Sequence, residues 1–213
     1  MEYKIRDISR VEWIFDKALM MKNIFVGVIF LVSLYPFAVM ADYQEGRDAF
    51  DRGDYSTALK EFEILAKQND PRGQYALAVM YDIGEGVLQS SKEAVKYYRL
   101  AAAQGFANAQ NNLGVAYDRG EGVGTDYKEA MKWYLLAAER GNKDAPNNIG
   151  VLYMIGFGVP RSFAKAYTWF AIAGTGDSEA ISNKNFVKKR LTPEQRVESQ
   201  RRADEWQRIW MKK

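Results

Sequence analysis

Apolar residues along this chain fall at helical intervals, in short stretches broken by glycine. Leu113, Val115 or Gly114, and Tyr117 fall at helical spacing, and Ala130, Tyr134, Ala137 and Ala138 form the stripe of the next helix. The spacing predicts a first helix over residues 72–83, 109–119 and 145–155. A second helix is predicted over 91–104, 127–140 and 163–174. Asp70 before Pro71, Asn108 and Asp144 are the expected N-terminal caps, with Gly105 and Gly141 as C-terminal stops.

The pattern recurs. YDIGEGVLQSSKEAVKYY (81–98), YDRGEGVGTDYKEAMKWY (117–134) and YMIGFGVPRSFAKAYTWF (153–170) align at a shift of 36 residues. Gly84, Gly120 and Gly156 keep step, as do Gly86, Gly122 and Gly158, and Ala94, Ala130 and Ala166. The aromatic Tyr98, Tyr134 or Phe170 follows each time. A phosphate-gripping loop occurs once, with a Lys-Ser/Thr after it or a strand before it. Triplicated glycines instead mark tight turns between helices, which need positive φ. Small residues at the helix crossing let the backbones approach, and the aromatic fills the space beside them. An earlier, shorter copy lies in 43–68, where Ala58 and Phe62 stand 36 residues before Ala94 and Tyr98. Its loop is five residues shorter, the compact form of a tetratricopeptide repeat.

The motifs Y-x-x-G-E-G-V, K-E-A-x-K-W/Y-Y and A-A-x-x-G resemble the Sel-one-like repeat, a relative of the tetratricopeptide repeat. The likeness covers about 72–176, or out to 207 with the tail. It implies an all-α, right-handed α-solenoid of helix–turn–helix repeats. The expected division is 1–41 (N-terminal extension and leader), 42–70 (short repeat), 71–107 and 108–143 (full repeats), 144–180 (divergent repeat) and 181–213 (C-terminal capping helices). The divergent repeat has Phe157 in place of the glutamate and Gly174-Thr175-Gly176 in place of an alanine pair. In the tail, Thr192, Pro193 and Gln195 form a capping box. Ser199, Ala203, Trp206 and Trp210 share the face that docks on the last repeat.

In this class the first helix of each pair lines a concave surface. Tyr75, Asn111, Asn112, Asn147 and Asn148 are the residues expected to be exposed there. A ladder of carboxamides, each donor and acceptor, suits a peptide backbone or sugar amides. The competing reading has these asparagines satisfy local groups.

Composition narrows the chemistry. Without cysteine or histidine, the chain lacks disulfides, thiolate nucleophiles and the commonest general base and metal ligand. Ser90-Ser91-Lys92 is not an S-x-x-K motif, so no catalytic residue, cofactor or metal is expected. Net charge is only +3, but it is unevenly placed: 184–213 hold ten basic and four acidic residues, 42–183 fifteen and nineteen. Residues 24–41 are eighteen uncharged, largely apolar residues after Lys22. They read as a secretory leader cleaved at Ala41, with an uncleaved inner-membrane anchor as the alternative. Translation from Met20 or Met21 would give a leader of ordinary length. The remainder is then periplasmic or secreted, and nucleic acid is not an expected partner. The resemblance implies an envelope adaptor or regulator that binds a protein or peptide, with peptidoglycan fragments as a further ligand class. An immunity protein against a secreted toxin is an alternative, and a cell-wall or β-lactam enzyme a more distant one.

Overall fold

A computed structural model describes residues 42–174, 176 and 178–210. The leader and the start sites lie outside these residues. Among the described residues ten helices follow in order: α1 (Tyr43–Asp51), α2 (Tyr55–Lys67), α3 (Pro71–Ile83), α4 (Ser91–Ala103), α5 (Ala107–Arg119), α6 (Tyr127–Glu139), α7 (Ala145–Ile155), α8 (Phe163–Ala173), α9 (Ser178–Lys188) and α10 (Pro193–Trp210). Among the described residues there is no strand. Helices α1–α2, α3–α4, α5–α6 and α7–α8 pack as hairpins, and each hairpin packs on the next, as in an α-solenoid. No described helix is long and apolar enough to cross a membrane.

The inter-helix loop explains its own sequence. Gly84, Gly120 and Gly156 end the first helices in the left-handed conformation, at φ +79°, +75° and +90°. Their N–H groups donate to Met80, Ala116 and Leu152 carbonyls. The loop then closes back, as Ser90, Asp126 and Ser162 donate to the carbonyls of Tyr81, Tyr117 and Tyr153 at 2.8, 2.8 and 2.9 Å. The same three residues cap the second helices, their side chains accepting from Glu93, Glu129 and Lys165 N–H. Gly86, Gly122 and Gly158, at φ +74°, +70° and +70°, do a different job. A Cβ on them would meet Tyr55, Ser91 and Tyr127, the first residues of α2, α4 and α6. The second glycine of each motif is therefore where one repeat touches the previous one.

The core is layered by repeat. Ala58, Ala94, Ala130 and Ala166 are fully buried beside Phe62, Tyr98, Tyr134 and Phe170. Gly114 and Gly150 lie under the Tyr134 and Phe170 rings so closely that a Cβ would come within 2.6 Å. Ala78 takes that place in the preceding repeat.

Two expectations need correction. The cap of α5 is Phe106, 36 residues after Asp70, and Asn108 lies inside the helix; Asp144 is the cap residue of α7, as expected, but makes no side-chain cap bond. Asp70 accepts from Arg72 N–H, Phe106 has no cap bond, and Asn142 accepts from the N–H groups of Asp144 and Ala145. The boundary expected at 180 falls inside α9. That helix packs on α8 and α7 as the first helix of a further repeat would. Helix α10 also packs on α8, through buried Ser199 and Ala203, with Trp206 at 5.5 Å from Trp169. Its start carries the reciprocal bonds between Thr192 and Gln195.

Candidate functional site

The first helices present a seam of polar and aromatic side chains that crosses the repeats. It begins at a cleft of about 120 Å³ between α1 and α3, walled by Tyr43, Phe50, Phe62, Tyr75 and Val79 with Arg47 at its edge. The ring of Tyr75 is tilted against Tyr98 at 6.0 Å and Phe106 at 5.0 Å. The Tyr98 hydroxyl donates to Asp82 Oδ2 (3.1 Å) and accepts from Asn112 Nδ2 (3.0 Å). Burial pushes the Tyr75 and Tyr98 phenols above their ordinary value of 10.0, so both stay neutral. A second cleft, about 190 Å³, opens here between α3–α4 and α5, lined by Asp82, Ser91, Tyr98, Asn112, Arg119 and Glu121.

The Tyr–Asp pair recurs one repeat later, where Tyr134 donates to Asp118 Oδ2 at 3.3 Å. Partial burial raises the Asp118 carboxyl above 3.8. In the following repeat the two positions are Phe170 and Met154, and the pair is gone.

The asparagine ladder exists, but its members differ from the expectation. Asn111 and Asn147 are 6% and 7% exposed, not surface groups. Asn148 donates to Asn111 Oδ1 (3.1 Å) and Asn183 to Asn147 Oδ1 (3.4 Å), so these carboxamides join consecutive first helices. Asn111 in turn donates to Asn112 (3.4 Å). The cause is stacking: the next first helix lies against the polar side of the last one, and a buried amide needs a partner there. Tyr75, Asn112 and Asn148 remain partly exposed. Of the five, Tyr75, Asn111, Asn112 and Asn148 are brought into one connected seam. Asn147 belongs to the next junction.

Sequence reasoning overlooked Asp82, Asp118, Arg119 and Asn142. The aspartates had a readable signal, since Asp82–Tyr98 and Asp118–Tyr134 share both the 36-residue period and a 16-residue separation. Larger hollows of about 550 and 660 Å³ run along the loops between repeats and share Gly141 and Lys143, with Trp206 and Trp210 at their rims. One is lined by Asn142, Asp144 and Gln207 and the other by Glu139 and Arg140, but neither has a hydroxyl or runs across consecutive first helices as the seam does. No group of three or more acidic side chains among the described residues could hold a metal ion. The seam offers neutral hydroxyls, carboxamides and flanking charges, a chemistry of recognition.

The family model of the Sel1 repeat matches residues 71–106, 107–142 and 144–178, half of the chain and each a hairpin described above. The chain belongs to the Sel1 repeat family. Proteins built from Sel1 repeats are generally scaffolds for protein–protein interaction. Among solved structures, this Sel1 chain is similar to a Sel1 repeat protein from Oxalobacter formigenes, at 32% identity and a TM-score of 0.63, over 68% of this chain and 60% of that one. It is also similar to c5321, a protective antigen of uropathogenic Escherichia coli strains displaying an SLR fold. There the identity is 31% and the TM-score 0.55, over 72% of this chain and 41% of that one. The comparison with curated proteins found no match.

Proposed function

We propose that this Sel1 protein is an exported adaptor of the bacterial cell envelope. Its partner is a protein, held by a peptide segment laid along the first-helix seam. One observation carries this reading: the two clefts and the exposed parts of Tyr75, Asn112 and Asn148 lie on consecutive first helices. A segment seated there gains apolar walls at Tyr43, Phe50 and Val79, then hydroxyl, carboxamide and charge at Tyr98, Asn112 and Arg119. The absence of histidine and cysteine supports binding over turnover. Peptidoglycan fragments, whose amides suit the same carboxamides, are a further ligand class.

Site-specific photocrosslinking in the native envelope tests this. A photoreactive residue at Val79 or Val115 is expected to trap one discrete partner. The same residue at Lys96, exposed on a second helix, is expected to trap none. Equal adducts from Lys96, or none from either valine, would remove the groove from the account. N-terminal sequencing of the exported form is expected to begin at Asp42. A start upstream of residue 24 would make the protein an anchored scaffold.

A further inference from the structure

The far end of the repeat stack carries a cluster of cations that the seam does not use. Arg161 precedes α8, Lys188 ends α9, Lys189 and Arg190 follow it, and Arg196 sits in the first turn of α10. Contacts join them into one surface. The guanidinium groups of Arg161 and Arg190 lie 5.3 and 5.7 Å from the ring of Phe163, and Arg190 also covers Phe186 at 3.5 Å. Arg190 donates to the Phe186 carbonyl (2.7 Å) and Arg196 to that of Lys188 (3.1 Å). These last two bonds cap the C-terminal end of α9 and leave the charges facing outward.

Several cations earlier in the stack are neutralised by a neighbouring acid. Lys67, Lys96 and Lys132 on α2, α4 and α6 each pair with a glutamate of the same helix. No carboxylate among the described residues lies within ion-pair distance of Arg161, Lys188, Lys189, Arg190 or Arg196. The acid beside them, Glu194, takes hydrogen bonds from Thr192 and its own backbone N–H. Phe186 stands 46% exposed in their midst. At the other end the sign reverses: residues 42–70 hold eight acidic and four basic side chains, and 179–213 hold five and ten. The net charge therefore changes sign from the first described hairpin to the last described helices.

We propose that this corner seats the protein on an anionic phospholipid surface, C-terminal end first. None of the clefts described above is lined by Lys188, Lys189, Arg190 or Phe186. A peptide would find no walls here, whereas a plane of mobile phosphate headgroups needs none. An exposed phenylalanine between cations suits the headgroup boundary, where a ring inserts and the charges stay at phosphate level. On the reading proposed above, in which residues 24–41 direct export, that eighteen-residue apolar run brings the chain to a membrane during its synthesis. The acidic first hairpin is repelled by the same surface, which holds the stack end-on and leaves the seam accessible.

The test is vesicle flotation with the full chain. Vesicles of phosphatidylglycerol mixed with phosphatidylcholine are compared with phosphatidylcholine alone. Each cation near an anionic surface strengthens partition about fivefold. Arg161→Gln, Lys188→Gln and Lys189→Gln together are therefore expected to weaken binding to the mixed vesicles about 100-fold. Arg47→Gln, Lys60→Gln and Lys67→Gln, at the opposite end, are expected to leave it unchanged. Any contribution of residues 24–41 is common to all these chains and cancels in the comparison. Thermal melts establish that the variants are folded, and high salt is expected to abolish the difference. Undiminished binding by the triple variant overturns the proposal. So does binding of the parent to phosphatidylcholine vesicles as strongly as to the mixed vesicles. Salt-sensitive self-association, or capture of polyglutamate with no capture of vesicles, assigns the corner to a second copy or an acidic protein instead and also overturns it.

Discussion

Replacing Gly122 with alanine separates the two demands that the repeat loop makes on its second glycine. The first demand is conformational. Gly122 sits at φ +70°, where a side chain costs about 1–2 kcal/mol. The second is spatial. A Cβ there would stand 2.2 Å from the carbonyl oxygen of Ser91 and 2.4 Å from its carbonyl carbon. Those atoms belong to the first residue of α4, so no rotamer relieves the clash, and the repeats must part. Overpacking of this kind costs about 1–3 kcal/mol. The sum, about 2–5 kcal/mol, is a large part of a stability of roughly 5–15 kcal/mol. Two other glycines isolate the components. Gly53, at φ +79° with nothing within 4 Å of a Cβ, carries only the conformational demand. Gly53→Ala should cost about 1–2 kcal/mol. Gly124, with ordinary φ and nothing within 4 Å, carries neither. Gly124→Ala should be neutral or stabilising by about 0.4–1 kcal/mol. Urea denaturation followed by far-UV circular dichroism reads all three. A Gly122→Ala loss no larger than that of Gly53→Ala would refute the claim that this glycine joins the repeats.

Three further outcomes can be checked in the same assay. The Asp118 carboxyl is raised above 3.8 by burial, so the native state holds its proton more tightly than the unfolded chain. Its contribution therefore falls as pH climbs from 3.8 through the raised value. Asp118→Asn keeps an acceptor for Tyr134 and should flatten that slope; an unchanged pH profile would show the carboxyl to be solvated. Asn142→Ala removes two bonds at the start of α7 and one to Asn108, and should cost about 1–2 kcal/mol. A loss under a few tenths would mean that water replaces the cap. Finally, a double-mutant cycle on Asn111→Ala and Asn148→Ala should give a coupling of about 0.5–1.5 kcal/mol. Strict additivity would deny that the ladder joins repeats.

The aromatic clusters, the turns and the second-helix boundaries were legible because each depends on neighbours within one hairpin. Gly84 and Gly86 lie in one loop, and Ala94 and Tyr98 one turn apart on α4. A local backbone demand repeated in triplicate leaves a periodic trace. The terminal helix was legible for the same reason, since Thr192, Pro193 and Gln195 act within one turn. The first-helix caps were misplaced where the residue type at the capping position changed from Asp70 to Phe106, leaving Asn108 as a decoy. The start of α9 before residue 181, and its place as a further first helix, escaped because 178–188 lacks the glycine motif and most of the apolar stripe.

The sequence by itself determined the repeat, the hairpin and which residues form the core of each, because those are short-range matters of helical period and positive φ. Only the tertiary structure decided how hairpins meet. Stacking turned Gly122 into an inter-repeat contact, buried Asn111 and Asn147, and left Tyr75, Asn112 and Asn148 at the surface. Which polar side chain is spent inside and which faces a partner depends on what lies against it from 36 residues away. A single chain of letters carries the period but not the angle at which one period rests on the next.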